Sequence, residues 1–153
     1  MLRLVILSVL VFAVAGCGDG RDELRYDLTG IWTIPGEVDC QGPLAAEDLE
    51  AMEAHGNGAG VFRVEQTGSD LDVEVHNSVT GDTRRYEGTV SGNQVRFEAI
   101  DAGFRGVPVT VMGDGTILSD TRGGITETTE GTFDGEAVTV TCTAMLERMG
   151  DLT

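Results

Sequence analysis

The chain has 153 residues, with 26 acidic side chains against 10 basic ones and a formal net charge of -16. Its only basic residues besides two histidines are arginines, which excludes lysine Schiff-base and lysine-nucleophile chemistry. The acidic balance and the lack of a polybasic run argue against nucleic acid, whose binding rests on Lys and Arg neutralising phosphates, and against electrostatic docking on anionic lipid.

The amino terminus reads Met1-Leu2-Arg3, runs without a charge from Leu4 to Ala15, and then gives Gly16-Cys17-Gly18-Asp19. A basic start, an apolar stretch of about a dozen residues and small residues at its end are the three parts of an export signal. Crossing a bilayer takes roughly 20 apolar residues, so the run is too short for a spanning helix. Val14-Ala15-Gly16-Cys17 resembles the lipobox of bacterial lipoproteins. The resemblance implies a signal peptide over residues 1–16, lipid attachment at Cys17 and membrane lipid as a partner. It also implies residence in the bacterial cell envelope. Gly18 stands where an aspartate would mark inner-membrane retention, which tips the expectation to the outer membrane over the inner. Residues 17–27, charged and without periodicity, read as a tether between lipid and domain.

Residues 28–153, beyond the leader and tether, have the size of one domain. Abundant glycine and rare proline suit short strands joined by tight turns. Two cysteines remain, Cys40 and Cys142, and in an exported chain an even remainder reads as a disulfide. Leu28 to Ile34 is a strand by its β-branched and aromatic content, is closed by Pro35-Gly36, and holds the only tryptophan, Trp32. Residues 43–55 then change period. Ala45, Leu49 and Met52 recur at helical spacing, Pro43 suits the first turn, and Gly56 and Gly58 stop the helix.

From Gly60 onward the period is two. VFRVEQ, TGSD and LDVEVHN make a hairpin with Phe62 and Val64 on the same face as Leu71, Val73 and Val75. RRYEGTV, SGN and QVRFEAI repeat the arrangement, setting Tyr86 and Val90 against Val95 and Phe97. GVPVTVM, GDG and TILSDTR read as a third hairpin, and Gly123-Gly124 as the turn into ITETTEGTF, DGE and AVTVTCTA. The expected fold is all-β: an antiparallel meander of about eight or nine strands closing into a small barrel, since open edges invite aggregation, with one short helix after the first strand. A β-sandwich uses the same strands and stays open as the alternative. Closure by the first and last strands would bring Cys40 near Cys142. The Gly30-x-Trp32 start, leading into a meander, resembles lipocalin-like and related calycin barrels, which implies a small apolar ligand in the interior.

Residues that carry chemistry are scarce. His55 ends the expected helix, His76 lies on the solvent side of its strand, and neither belongs to a G-x-S-x-G or H-E-x-x-H motif. No catalytic residue, cofactor or metal-ligand set is expected. Glu127, Glu130, Asp134 and Glu136 gather around the last hairpin and read as solvated acids. Arg84 and Arg85 alternate faces, so one of the two points inward, toward an anionic head group or a core acid. The inferred lining is rich in valine and includes Val107, Val109, Val111, Val138 and Val140. Trp32, Phe62, Tyr86 and Phe97 are its candidate ligand-binding residues. Barrels of about eight strands either fill with side chains or hold one small ligand. The expected function is therefore a cell-envelope lipoprotein binding a small apolar or amphipathic ligand in a lipocalin-like barrel. The alternative is a non-catalytic envelope interaction protein with a solid core, meeting a protein partner on its acidic surface.

Overall fold

Alternation of apolar and polar residues gives each strand one face to bury, and the chain answers with a single sheet rolled onto itself. The computed structural model describes residues 26–56, 60–78, 81–104 and 106–152, without the side chains of residues 54–56. The signal peptide 1–16, the lipid site Cys17 and the tether as far as residue 25 lie outside the described residues. The elements in chain order are β1 (Gly30–Thr33), β2 (Asp39–Gln41), α1 (Ala46–Gly56), β3 (Gly60–Thr67), β4 (Asp70–Asn77) and β5 (Thr83–Ser91). Then come β6 (Gln94–Ile100), β7 (Gly103–Phe104), β8 (Val107–Pro108), β9 (Thr110–Ser119), β10 (Arg122–Phe133) and β11 (Glu136–Gly150). Eight strands, in the order β1-β3-β4-β5-β6-β9-β10-β11, form an antiparallel barrel that closes where β1 pairs with β11. The fold is the closed barrel and not the sandwich.

The first lane of this barrel is broken. β1 pairs β11 at Trp32↔Arg148 and Thr33↔Glu147, and β2 rejoins the same edge of β11 further along, at Asp39↔Thr143 and Gln41↔Thr141. The bend between them, at Pro35-Gly36, lets the chain leave β3 and place α1 over one end. There Leu44, Leu49 and Met52 pack on buried Ile34, Val38, Cys40 and Val140. Helix α1 begins at Ala46, later than Pro43, because Leu44 is drawn into this cluster and the Ala45 carbonyl accepts the first-turn amides of Asp48 and Leu49. The Cys40–Cys142 disulfide, expected from the sequence, joins residues that face each other across β2 and β11. It closes a loop with a sequence separation of 102. In the chain-entropy account a loop of that size stabilises by up to about 4.7 kcal/mol.

A strap crosses the opposite end. Trp32 Nε1 donates to the Leu28 carbonyl at 2.9 Å, the Leu28 amide donates to Gln66 Oε1 at 2.9 Å, and the Gln66 amide donates to Thr29 Oγ1 at 3.2 Å. Arg148, on the closing strand, donates to the carbonyls of Asp27 and Thr29. Tyr26, counted in the tether by composition, packs against the core cluster of Leu28, Trp32 and Leu71. The packed domain thus includes residue 26.

Two turns expected from the sequence are not turns. Gly113-Asp114-Gly115 lies inside β9, and Gly123-Gly124 lies inside β10. The GVPVTVM segment divides into β8, which pairs with the preceding β7 in a side hairpin and takes Val107 out of the barrel wall, and the start of β9. Steric accommodation explains the glycine at 113. Phe97 stands in register between Gly88 on β5 and Gly113 on β9, and its ring covers the glycine so closely that a Cβ at 113 would lie 2.0 Å from Phe97 Cζ. An aromatic laid over a strand glycine is a known stabilising device in sheets.

Replacing Gly113 with Val should therefore displace the Phe97 ring and cost about 1–3 kcal/mol, the usual range for overpacking. Gly124 is the control: a Cβ there meets nothing closer than Met145 Sδ at 3.6 Å. Gly124→Ala should change stability by less than about 0.5 kcal/mol. Urea unfolding of both variants measures the two effects, read as a shift in midpoint at constant slope.

Candidate functional site

One row of residues crosses the barrel in register: Leu71 on β4, Gly88 on β5, Phe97 on β6, Gly113 on β9, Glu127 on β10, Cys142 on β11 and Cys40 on β2. Leu71, Phe97, Glu127 and Cys142 of this row line the interior, which runs from the strap end at Leu71 to the capped end at Cys40. The glycines on either side of Phe97 leave its ring free to spread along the wall. That ring meets Tyr86 edge-on, with centroids 5.7 Å apart and planes at 79°. Tyr86, buried, then reaches across the interior and donates its hydroxyl to Glu127 Oε2 at 3.2 Å.

This bridge divides the interior into two chambers. The strap-side chamber is about 100 Å³ and is walled by Trp32, Leu71, Val73, Val95, Phe97 and Leu146. The cap-side chamber is about 110 Å³, lies under Met52 of α1 and Phe104 of β7, and carries Asn77, Arg84 and Thr129 among its aliphatic wall. Phe62, Tyr86, Ile125 and Glu127 line both. Each chamber is smaller than the roughly 300–1,000 Å³ of drug-sized sites, and of the order of the roughly 150 Å³ cavity that takes a benzene ring. Small side chains keep the strap-side chamber open: Val73 and Val95 do not reach across, and Gly115 and Gly123 contribute no side chain at all.

The bridge is electrostatically unusual. Burial pushes the Glu127 carboxyl above the ordinary glutamate range, opposed by the Arg84 guanidinium and by the hydrogen bond from Tyr86. Burial, with Glu127 beside it, holds the Tyr86 phenol well above its ordinary value, so the hydroxyl remains a donor. Arg84 is the inward member of the arginine pair and is half-buried in the cap-side chamber; Arg85 faces out and pairs with Glu74 at 3.3 Å. Chemically, the cluster offers a donor and a carboxyl to whatever occupies either chamber.

All four candidate residues read from the sequence, Trp32, Phe62, Tyr86 and Phe97, line the strap-side chamber, and Phe62 and Tyr86 line the other as well. Glu127 corrects the sequence reading. It is not a solvated acid of the last hairpin but stands inside, opposite Cys142 and Gly113. The alternation of Ile125, Glu127 and Thr129 within the segment 125–133 carries that signal, with Ile125 as the apolar marker of the inward face. His76 faces solvent, with Nδ1 3.3 Å from the Thr83 hydroxyl, and His55 falls in the last turn of α1 with its side chain outside the described residues.

No protein-family model matches the chain, and no curated protein matches it. Among solved structures the chain is similar to "Structure of EF1p2_mFAP2b bound to DFHBI". The identity is 16%, over 80% of this chain and 94% of that one, with a TM-score of 0.48. A likeness of that degree says nothing about what this interior holds.

The bridge predicts a pH dependence. The folded chain holds the Glu127 proton more tightly than the unfolded chain. The stability from that proton is fully present below the ordinary glutamate value of 4.5 and is lost as pH rises through the raised folded value. Glu127→Gln keeps an acceptor for Tyr86 and cannot ionise. Its stability relative to the parent should therefore rise with pH above 4.5, as urea midpoints of both proteins measured across that range would show. A difference that stays flat or shrinks with rising pH would contradict the assignment.

Proposed function

We propose that this chain is a lipid-anchored, non-catalytic protein of the bacterial cell envelope whose barrel interior binds one small apolar or amphipathic molecule. The observation that carries the reading is the divided interior: two chambers with largely apolar walls meet at one buried hydrogen-bonded bridge, Tyr86 to Glu127. A core evolved only for stability gains from filling such space, because voids forfeit dispersion contacts. The Val14-Ala15-Gly16-Cys17 leader supports the anchor, with Cys17 as the acylated residue, and the short spacing from there to Tyr26 would hold the barrel close to the membrane. Gly18 after the acylated cysteine favours the outer membrane.

A second reading, an interaction protein with an acidic face, is favoured by one feature of the outer wall. Glu65, Asp72, Glu87 and Glu98 stand directly opposite one another across β3, β4, β5 and β6, all exposed. Like charges in that position oppose the sheet, and a basic partner would relieve them. Crosslinking on intact membranes that is lost when Asp72, Glu87 and Glu98 become amides would support this reading, and crosslinking that is absent or unchanged would contradict it.

Binding in the interior has a direct reporter, because the single tryptophan is buried in the strap-side wall. Titrating the Cys17→Ser chain with naphthalene, toluene and decanoate should shift Trp32 emission saturably, at one site, for at least one of the three. No change with any of them would count against an interior ligand.

A further inference from the structure

We infer that the strap-side chamber selects a compact, uncharged ring compound bearing one hydrogen-bonding group, and that the Tyr86–Glu127 bridge keeps straight-chain amphiphiles out. The inference rests on the reading of the barrel as a binding protein and adds the class of ligand. Size is the first argument. At about 100 Å³ the chamber matches a single ring, since a cavity of roughly 150 Å³ takes benzene. A long alkyl chain overruns it: the remainder either stands in the open mouth, in water, or continues into the cap-side chamber by parting the Tyr86 hydroxyl from Glu127. Shape is the second. The rings of Trp32 and Phe97 form part of its wall, and Gly115 and Gly123 add stretches of wall where no Cβ stands out. Ring faces and bare backbone suit a planar ligand.

Charge is the third argument. Among the described residues that line this chamber, the charged side chains are Glu127 and Arg122. Arg122 is exposed at the rim and paired with Glu147 at 3.2 Å. Arg84 lines only the cap-side chamber. An anionic ligand would therefore lose its hydration without gaining a counter-charge, which is costly. An uncharged hydroxyl meets two suitable partners, the Tyr86 oxygen and the Glu127 carboxyl, both on the chamber wall. One such bond is worth about a tenfold gain in affinity over the same ring without it.

Calorimetric titration of the Cys17→Ser chain with phenol, toluene and decanoate tests this. Phenol is expected to bind at one site about tenfold tighter than toluene, and decanoate not to bind. Val95→Phe should abolish phenol binding by filling the chamber, while Val109→Leu, on the cap-side wall, should leave it unchanged. Should Val95→Phe fail to fold, Tyr86→Phe carries the test: it keeps the ring, removes the bridge and admits decanoate, while phenol, still offered the Glu127 carboxyl, keeps its advantage over toluene. Equal affinities for phenol and toluene in the parent chain would overturn the hydrogen-bond assignment. Decanoate binding without phenol binding would overturn the ligand class while leaving an interior ligand standing. Silence from all three probes would overturn the ligand class and the binding reading together.

Discussion

Closure of β1 on β11 is the constraint on which the rest of this structure depends. Left open, an eight-stranded sheet with one apolar face would expose that face and two edges to water, and closure removes both edges while burying the face against itself. The closing lane is made by a strand of only four residues, Gly30 to Thr33, interrupted before β2 resumes it. Such a short pairing needs help on both sides. At one end the strap ties residues 27–29 to β3 through Gln66 and to β11 through Arg148. At the other, the disulfide fastens β2 to β11, and the Cys40 amide donates to Glu53 of α1 at 3.1 Å. The seam of the barrel is thus held by covalent, charged and neutral contacts where the ladder itself is thin.

Closure creates the interior, and the glycines decide its shape. Filling every inward position with a branched side chain would give a solid core. Instead Gly88 and Gly113 flank Phe97, its ring turns against the wall, and the ring edge supports Tyr86. Tyr86 in turn finds Glu127, whose partner on β9 is again Gly113. A polar bridge in the middle of a small barrel carries a desolvation cost, and the raised carboxyl value of Glu127 is that cost expressed in protons. Its effect is to divide the interior into two chambers, one purely lined by aliphatic and aromatic groups apart from the bridge itself and its rim, the other holding Arg84 and Asn77.

Much of this was legible in the chain. The period-two segments from Val61 to Ile100 give the four strands β3 to β6 in the right order and register of faces, and the pair Cys40 and Cys142 foretells closure. Glycine is where the reading fails, for a physical reason. A glycine pair between apolar runs looks like a turn, yet Gly113, Gly115, Gly123 and Gly124 continue their strands, and at 113 it is the distant Phe97 ring that fixes the choice. Glu127 is missed for a different reason: Ile125, Glu127 and Thr129 share one face of the segment 125–133, but Thr126, Thr128 and Glu130 give the other face nearly the same polarity, so the period marks the inward face only weakly. β2 escapes for another reason: three residues are too few to show a period, and its place is set by a covalent bond to a strand far away in sequence. The aromatic members of the strap-side chamber, Trp32, Phe62, Tyr86 and Phe97, by contrast, are all read from the sequence, since bulky apolar residues on an alternating strand have only one place to go; Phe104 of the cap-side chamber, on the two-residue strand β7, is not.

The central claim joins an anchor to an interior ligand, and one measurement addresses both: a native mass spectrum of the full chain taken gently from its own membrane. The account predicts acyl mass that survives denaturation and maps to Cys17, together with a single smaller adduct that denaturation releases. Acyl mass with no releasable adduct, in protein whose barrel is intact, would contradict the claim that the interior holds a ligand. Release of an adduct from a chain carrying no acyl group would contradict the anchor.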